Sequence, residues 1–242
     1  MSERSGAADG EPRPEYLLTM PLHAVTEVYG ETGLRRRFAL EIARFPAADR
    51  QRLEEALALA ADLHAQDRRV REPYVNHLLR VAIRILCYYR VEDVDVLVAA
   101  LLHDSVEDHP ERLGGAPEAA VATLAERFGA RVAGLVAAVT NPEWTPDRHR
   151  YEQYQEHVAH SLAADPWARV IKISDFTDNG VGLIHTTGPK LGAMAAKYAP
   201  LVPVLRDLLA RPDTPLADDV KAHIAGQLDL AQRRFAAILG PG

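Results

Sequence analysis

Leu101-Leu102-His103-Asp104-Ser105-Val106-Glu107-Asp108 is the stretch on which the reading of this chain turns. An adjacent His-Asp pair closes an apolar run that begins at Val94, and Glu107 and Asp108 follow within one turn. Helical spacing sets His103 above Glu107 and Asp104 above Asp108. Such groups at the end of a buried helix are costly unless a metal or a substrate uses them. The cluster therefore points to a reaction class, metal-assisted hydrolysis of a phosphate ester.

Working outward, helix periodicity dominates. Leu53, Leu57, Ala60 and Leu63 mark one face of a helix from about Ala47 to His64. Pro73 suits the first turn of a second helix carrying Tyr74, His77, Val81 and Ile85. Val94 to Leu102 is apolar almost all round, so this third helix should be central. Ala119–Val139 reads as one or two helices broken near Gly129, and Arg150–Ala164 as an amphipathic helix. Ala168–Asn179 is assigned to helix, since nothing else in the chain offers a strand partner for Val170-Ile171-Lys172-Ile173. A loop marked by Gly180, Gly182, Gly188 and Pro189 follows. Two more helices lie near Lys190–Leu209, bent or divided at Pro200 and Pro203, and near Leu216–Leu239. The expected fold is all-α, a single domain: a disordered tail over 1–15, an N-terminal helical extension over 16–46, and a catalytic body over 47–240. Leu17, Leu18, Leu22, Val25 and Val28 predict that the extension packs on the body or on a partner subunit.

The chain has 242 residues, 48% of them hydrophobic, enough for one sizeable core. A formal net charge of −6 argues against general nucleic-acid binding. An anionic substrate would need local positive charge or a metal. A lone cysteine, Cys87, allows no disulfide within one chain and suits a reducing cytosol. No apolar run is long enough to span a bilayer, and Met1–Pro14 lacks the pattern of a secretory signal. The expected location is cytoplasmic, without membrane or nucleic-acid partners and with a homo-oligomer left open.

Three segments supply candidate ligands: His77, His103-Asp104 and Asp175. Two imidazoles and two carboxylates suit Mn, Fe or Zn better than Mg or Ca. Glu107 and Asp108 would orient or deprotonate the nucleophile. Each residue also has a plain structural reading: His77 as a core histidine, Asp175 as a helix cap or arginine partner, Glu107-Asp108-His109 as a solvated helix end. The other histidines, His64 and His109 among them, have no spacing that raises them above this.

The segments read together are more specific. Glu72-Pro73-Tyr74-Val75-Asn76-His77, then His103-Asp104-Ser105-Val106-Glu107-Asp108, then Lys172-Ile173-Ser174-Asp175-Phe176-Thr177-Asp178-Asn179 resemble the EPY-x-x-H, HD-x-x-ED and K-L-A-D-R-L-H-N segments of the HD hydrolase domain of the RelA/SpoT family and its small stand-alone alarmone hydrolases. Tyr198-Ala199-Pro200-Leu201 is similar to the family's later YAPL segment. The resemblance spans roughly Ala56 to Leu209 and implies an HD-domain helical bundle. It implies one Mn2+ ion, with Fe2+ or Zn2+ as alternatives, on His77, His103, Asp104 and Asp175, and Glu107 and Asp108 as the catalytic acidic pair. It also implies nucleotide contacts from Arg68, Arg69, Lys172 and Asn179. The implied reaction removes the 3′-pyrophosphate of guanosine tetra- or pentaphosphate, giving GDP or GTP. With only about a helix pair after Leu209, synthesis of that nucleotide is not expected.

Phe176 stands where the family has arginine, Asp178 where it has histidine, and Gly182 where it has threonine. These departures bear on substrate rather than on metal. They keep two alternatives in view: an HD phosphohydrolase acting on another phosphorylated nucleotide such as NADPH at its 2′-phosphate, and a nucleotide sensor without turnover.

Overall fold

The computed structural model describes residues 13–69, 72–142, 144–180 and 190–240. The expected tail up to residue 12, Gly182 and the rest of the 181–189 loop lie outside them. Among the described residues the architecture is helical, and the one sheet-like pairing is an isolated bridge between Arg68 and Pro73.

The apolar run becomes the centre of the molecule. Helix α5 (Val94–Leu102) buries Val96 through Leu102 completely and packs against α3 (Ala47–Leu63), α4 (Val75–Ile83), α8 (Ala130–Val139) and α10 (Pro166–Asn179). Its start is fixed by Asp93, whose carboxylate accepts from the amides of Asp95 and Val96. Helix α10 begins in the same way, with Asp165 accepting from Trp167 and Ala168 ahead of Pro166 in the first turn. Val170-Ile171-Lys172-Ile173 is helical, as expected from the lack of a strand partner. Gly129 (φ 95°, ψ 155°) divides α7 (Pro117–Phe128) from α8, in a conformation that side-chain-bearing residues rarely hold. The remaining elements are α9 (Arg150–Ala164), α11 (Lys190–Tyr198), α12 (Leu201–Ala210) and α13 (Asp218–Leu239), with Pro200 dividing α11 from α12.

The structure differs from the sequence reading in several places. Helix α1 (Pro14–Thr19) starts before Tyr16, because Pro14 is pre-set for a first turn. Helix α2 (Leu22–Ile42) is two helical stretches meeting at a kink at Gly30 (φ 58°, ψ −145°); it buries Leu22 and Val25 but leaves Val28 61% exposed, as Leu18 of α1 is 40% exposed. Only part of the apolar set therefore packs on the body. After Ile83 the chain continues as a π-helical turn, Arg84–Tyr88. The helix carrying the His-Asp pair also pauses: His103 and Asp104 form a turn between α5 and a short helix, α6 (Ser105–Asp108). The expected stacking of Asp108 on Asp104 survives, with the Asp108 amide donating to the Asp104 carbonyl.

Candidate active site

The three ligand-bearing segments converge beneath α5. Nε2 of His77 lies 3.3 Å from Asp175 Oδ1 and 3.6 Å from Asp104 Oδ2. Nε2 of His103 lies 3.1 Å from Asp104 Oδ2 and 3.8 Å from Asp175 Oδ1. Both imidazoles are buried, and neither Nε2 has a hydrogen-bond partner. Their other nitrogens are occupied. Nδ1–H of His103 donates to the Ala100 carbonyl at 2.9 Å, and Nδ1–H of His77 donates to Asp178 Oδ2 at 2.9 Å. Each ring therefore turns Nε2 toward the same pair of carboxylates. With Nδ1 so engaged, Nε2 is the atom that a metal would take in exchange for a proton, and His77, His103 and Asp175 make a group able to hold a metal ion.

The electrostatics favour a cation. Burial pushes His103 down, but Asp104 and then Asp175 outweigh it and raise its pKa to about 10. Burial would raise Asp104 and Asp175; the positive charge of His103 holds Asp104 well below the usual carboxylate range, and Lys172 does the same for Asp175. Excess negative charge that draws a proton onto an imidazole will equally draw a metal, and the two compete for the same lone pairs.

Supporting contacts fix the carboxylates. Tyr74 Oη donates to Asp104 Oδ2 at 2.8 Å, and its ring stacks on His64 with centroids 4.7 Å apart. Lys172 Nζ lies 2.9 Å from Asp175 Oδ2, and Asn179 Nδ2 donates to Asp175 Oδ1. Arg69 Nη2 donates to Asn179 Oδ1 at 2.6 Å, so a polar chain runs from Asp175 outward. Of the expected nucleotide contacts, Arg68, Arg69 and Asn179 line a cavity of about 1050 Å³ between α2, α4, α10, α11 and α13. Lys172 does not line it; it is buried against Asp175, with Nζ 5.7 Å from the centroid of the Tyr154 ring.

Glu107 and Asp108 are exposed on α6 and do not line that cavity. Asn141 Nδ2 donates to both Glu107 oxygens, at 2.9 and 2.8 Å. The Asp108 pKa rises to about 7, through desolvation first and then through the charges of Asp104 and Glu107.

Four partners escaped the sequence reading. Tyr74, Asn141 and Asp178 each meet a site residue across at least 30 positions. The fourth is a histidine pair: Asp67 Oδ2 lies 2.7 Å from His64 Nδ1 and 2.6 Å from His109 Nε2. Burial raises the Asp67 carboxyl, and the two imidazole hydrogen bonds more than offset it. Only Tyr74, inside the EPY segment, carried a local signal. The departures also find their places: Phe176 packs edge-on against Tyr198 and Phe235 in the core, and Asp178 lies beneath His77.

A helical fold that turns two imidazoles and two aspartates toward one point belongs to the HD-domain class, and the HD domain family profile matches residues 56–175. Guanosine-3′,5′-bis(diphosphate) 3′-pyrophosphohydrolase MESH1 of Mus musculus is 39% identical over 127 residues, 51% of this chain and 64% of that protein. MESH1 of Drosophila melanogaster is 34% identical over 141 residues, 57% of this chain and 71% of its own. The Escherichia coli bifunctional (p)ppGpp synthase/hydrolase SpoT is 34% identical over 53% of this chain and 18% of its own length. A solved structure described as a metazoan ortholog of SpoT that hydrolyses ppGpp superposes with a TM-score of 0.59 at 28% identity, over 79% of this chain and 98% of that one. The chain belongs to the HD-domain family of MESH1 and SpoT.

Proposed function

We propose that the chain is a stand-alone phosphohydrolase that removes the 3′-pyrophosphate of guanosine tetra- or pentaphosphate, with Mn2+ held by His77, His103, Asp104 and Asp175. The observation that carries this reading is the pair of buried, unpartnered Nε2 atoms facing shared carboxylates. It is strengthened by the neighbouring arginine-bearing cavity and by the names of the relatives. The mixed nitrogen and oxygen donors fit Mn, and also Fe or Zn.

In this reading the 3′-diphosphate lies between the cavity and the His-Asp centre. Arg68 and Arg69 offset its charge, and Asn179, already tied to Asp175, meets the nucleoside. A bound divalent metal lowers the pKa of water and offsets phosphate charge. Glu107, held by Asn141, orients the attacking water, and Asp108 takes its proton. Water adds to the phosphorus bonded to the 3′ oxygen, the P–O3′ bond breaks, and the proton passes to the leaving 3′ oxygen. GDP or GTP and pyrophosphate result. We assign this chemistry to residues 47–240. Residues 16–46 form a helical extension that closes one cavity wall, where Leu22, Thr26 and Gly30 lie. The reaction takes place in the cytoplasm; no helix among the described residues is long and apolar enough to cross a membrane.

The test is incubation of the Mn2+-loaded protein with the tetraphosphate and measurement of pyrophosphate. Release is expected. No release with metal demonstrably bound would sink this substrate, and a panel including NADPH would then identify another.

A further inference from the structure

We infer that Asp178 is the positioning residue that makes His77 a metal ligand, and that a cluster of arginines holds it in place for that task. The inference rests on the proposed His-Asp metal centre and extends it by one shell. Asp178 is 8% exposed and its Oδ2 accepts from Nδ1–H of His77 at 2.9 Å. The bond holds a proton on Nδ1 and leaves Nε2 to face Asp175 Oδ1 at 3.3 Å, without a hydrogen-bond partner. The two imidazoles of the centre are thus held differently. His103 leans on a neutral carbonyl, that of Ala100, whereas His77 leans on a carboxylate. An anionic acceptor polarises the ring and strengthens the lone pair offered at Nε2.

A buried carboxylate needs compensation, and this one has it. Arg80 clamps Asp178 with Nε on Oδ1 and Nη2 on Oδ2, both at 2.9 Å. Arg84 adds Nη2 to Oδ1 at 3.0 Å, and Arg69 Nη1 lies 3.7 Å from Oδ2. Glu72 takes the outer edge of Arg80 at 2.7 and 2.8 Å, so the clamp is itself braced. Two of these arginines bond one Asp178 oxygen, Oδ1, leaving Oδ2 to be shared between Arg80 and His77. The arginines that surround it come from the segment before α4, from α4 and from the π-helical turn, well away from Asp178 in sequence.

The test uses the metal-free full chain titrated with Mn2+ by calorimetry, alongside 15N NMR of the His77 ring. In the wild type the ring should carry its proton on Nδ1. Asp178→Asn should weaken Mn2+ binding roughly 10- to 100-fold, and Asp178→Glu should recover part of that loss. Arg84→Met, which leaves the carboxylate in place, should weaken it less than Asp178→Asn does. Unchanged affinity in a folded Asp178→Asn protein would overturn the assignment, as would an equal loss in Arg84→Met. If Asp178→Asn does not fold, the wild-type spectrum decides, because a His77 ring without a proton on Nδ1 refutes the inference alone. None of these readouts uses a nucleotide, so a wrong substrate leaves them standing.

Discussion

Replacing Tyr74 by Phe removes one oxygen and should loosen the metal centre without disturbing the fold. The hydroxyl donates to Asp104 Oδ2 at 2.8 Å, the same oxygen that lies 3.1 Å from His103 Nε2 and 3.6 Å from His77 Nε2. It therefore fixes where that oxygen points. A hydrogen bond to a charged group is worth about 1.5–3 kcal/mol. The Asp104 side chain is 17% exposed, so water can take over part of the lost bond, which places the cost near the lower end, about 1.5 kcal/mol. That corresponds to a roughly tenfold weaker metal affinity. The phenyl ring keeps its stack on His64 and its place beneath Arg69, whose guanidinium lies 5.3 Å from the ring centroid. Thermal stability of the metal-free protein should thus fall by only a few degrees. The assay is Mn2+ titration of the metal-free protein by calorimetry, followed by kcat at saturating metal. An affinity within twofold of wild type would refute the idea that Tyr74 orients Asp104. A metal-free variant that melts far below wild type would show that the hydroxyl holds the fold instead.

Asp104→Ala should abolish Mn2+ binding and turnover together, whereas Glu107→Gln should keep the metal and lower kcat by about a hundredfold or more; equilibrium metal analysis beside single-turnover kinetics separates the two. Gly129→Ala should cost about 1–3 kcal/mol in urea unfolding, because φ 95° with ψ 155° strains any side chain. The added Cβ meets only Arg52 Nη2, at 3.9 Å, so the loss comes from the backbone, and unchanged stability would dismiss that reading. Asp213 is held below its ordinary pKa chiefly by hydrogen bonds from the buried Arg169 and then from Arg211. A depressed folded-state value means stability that is present above the unfolded pKa, about 4, and lost as pH falls through the folded one. Asp213→Asn should therefore be less stable than wild type at neutral pH, with the two unfolding curves converging in strong acid. A gap that persists at pH 1–2 would point to packing rather than charge.

What the sequence made legible follows from range. The apolar run of α5 is a local pattern, and an all-round apolar helix has nowhere to go but the centre, where Val96–Leu102 lie fully buried. Gly129 and Pro200 interrupt helices by their own backbone chemistry. The links from Lys172 and Asn179 to Asp175 span three and four positions, within the reach of helical spacing. The π-helical turn at Arg84–Tyr88 had no such signal. Arg84 there reaches the Ser174 carbonyl and Asp178 across at least 90 positions. The pause at His103–Asp104 was hidden for a related reason, since periodicity continues through a turn whose backbone angles stay near helical.

The same limit explains why, in sequence, Phe176 and Asp178 bear on substrate rather than on metal. A residue's face is set by what packs on it. On α10 the two positions diverge: Phe176 meets Tyr198 and Phe235, while Asp178 meets His77 and two arginines of the neighbouring segment. Asp178 exchanges a neutral or cationic ring for a buried anion. Such an exchange is tolerable only where cations are already in place, because an unpaired buried carboxylate costs several kcal/mol. Arg80 and Arg84 supply them here, so paired replacements within this cluster should cost less than their single costs added together. Asp178→Asn together with Arg84→Met should lie closer to wild-type stability than the sum of the two single changes, the sign expected when both remove the same ion pair.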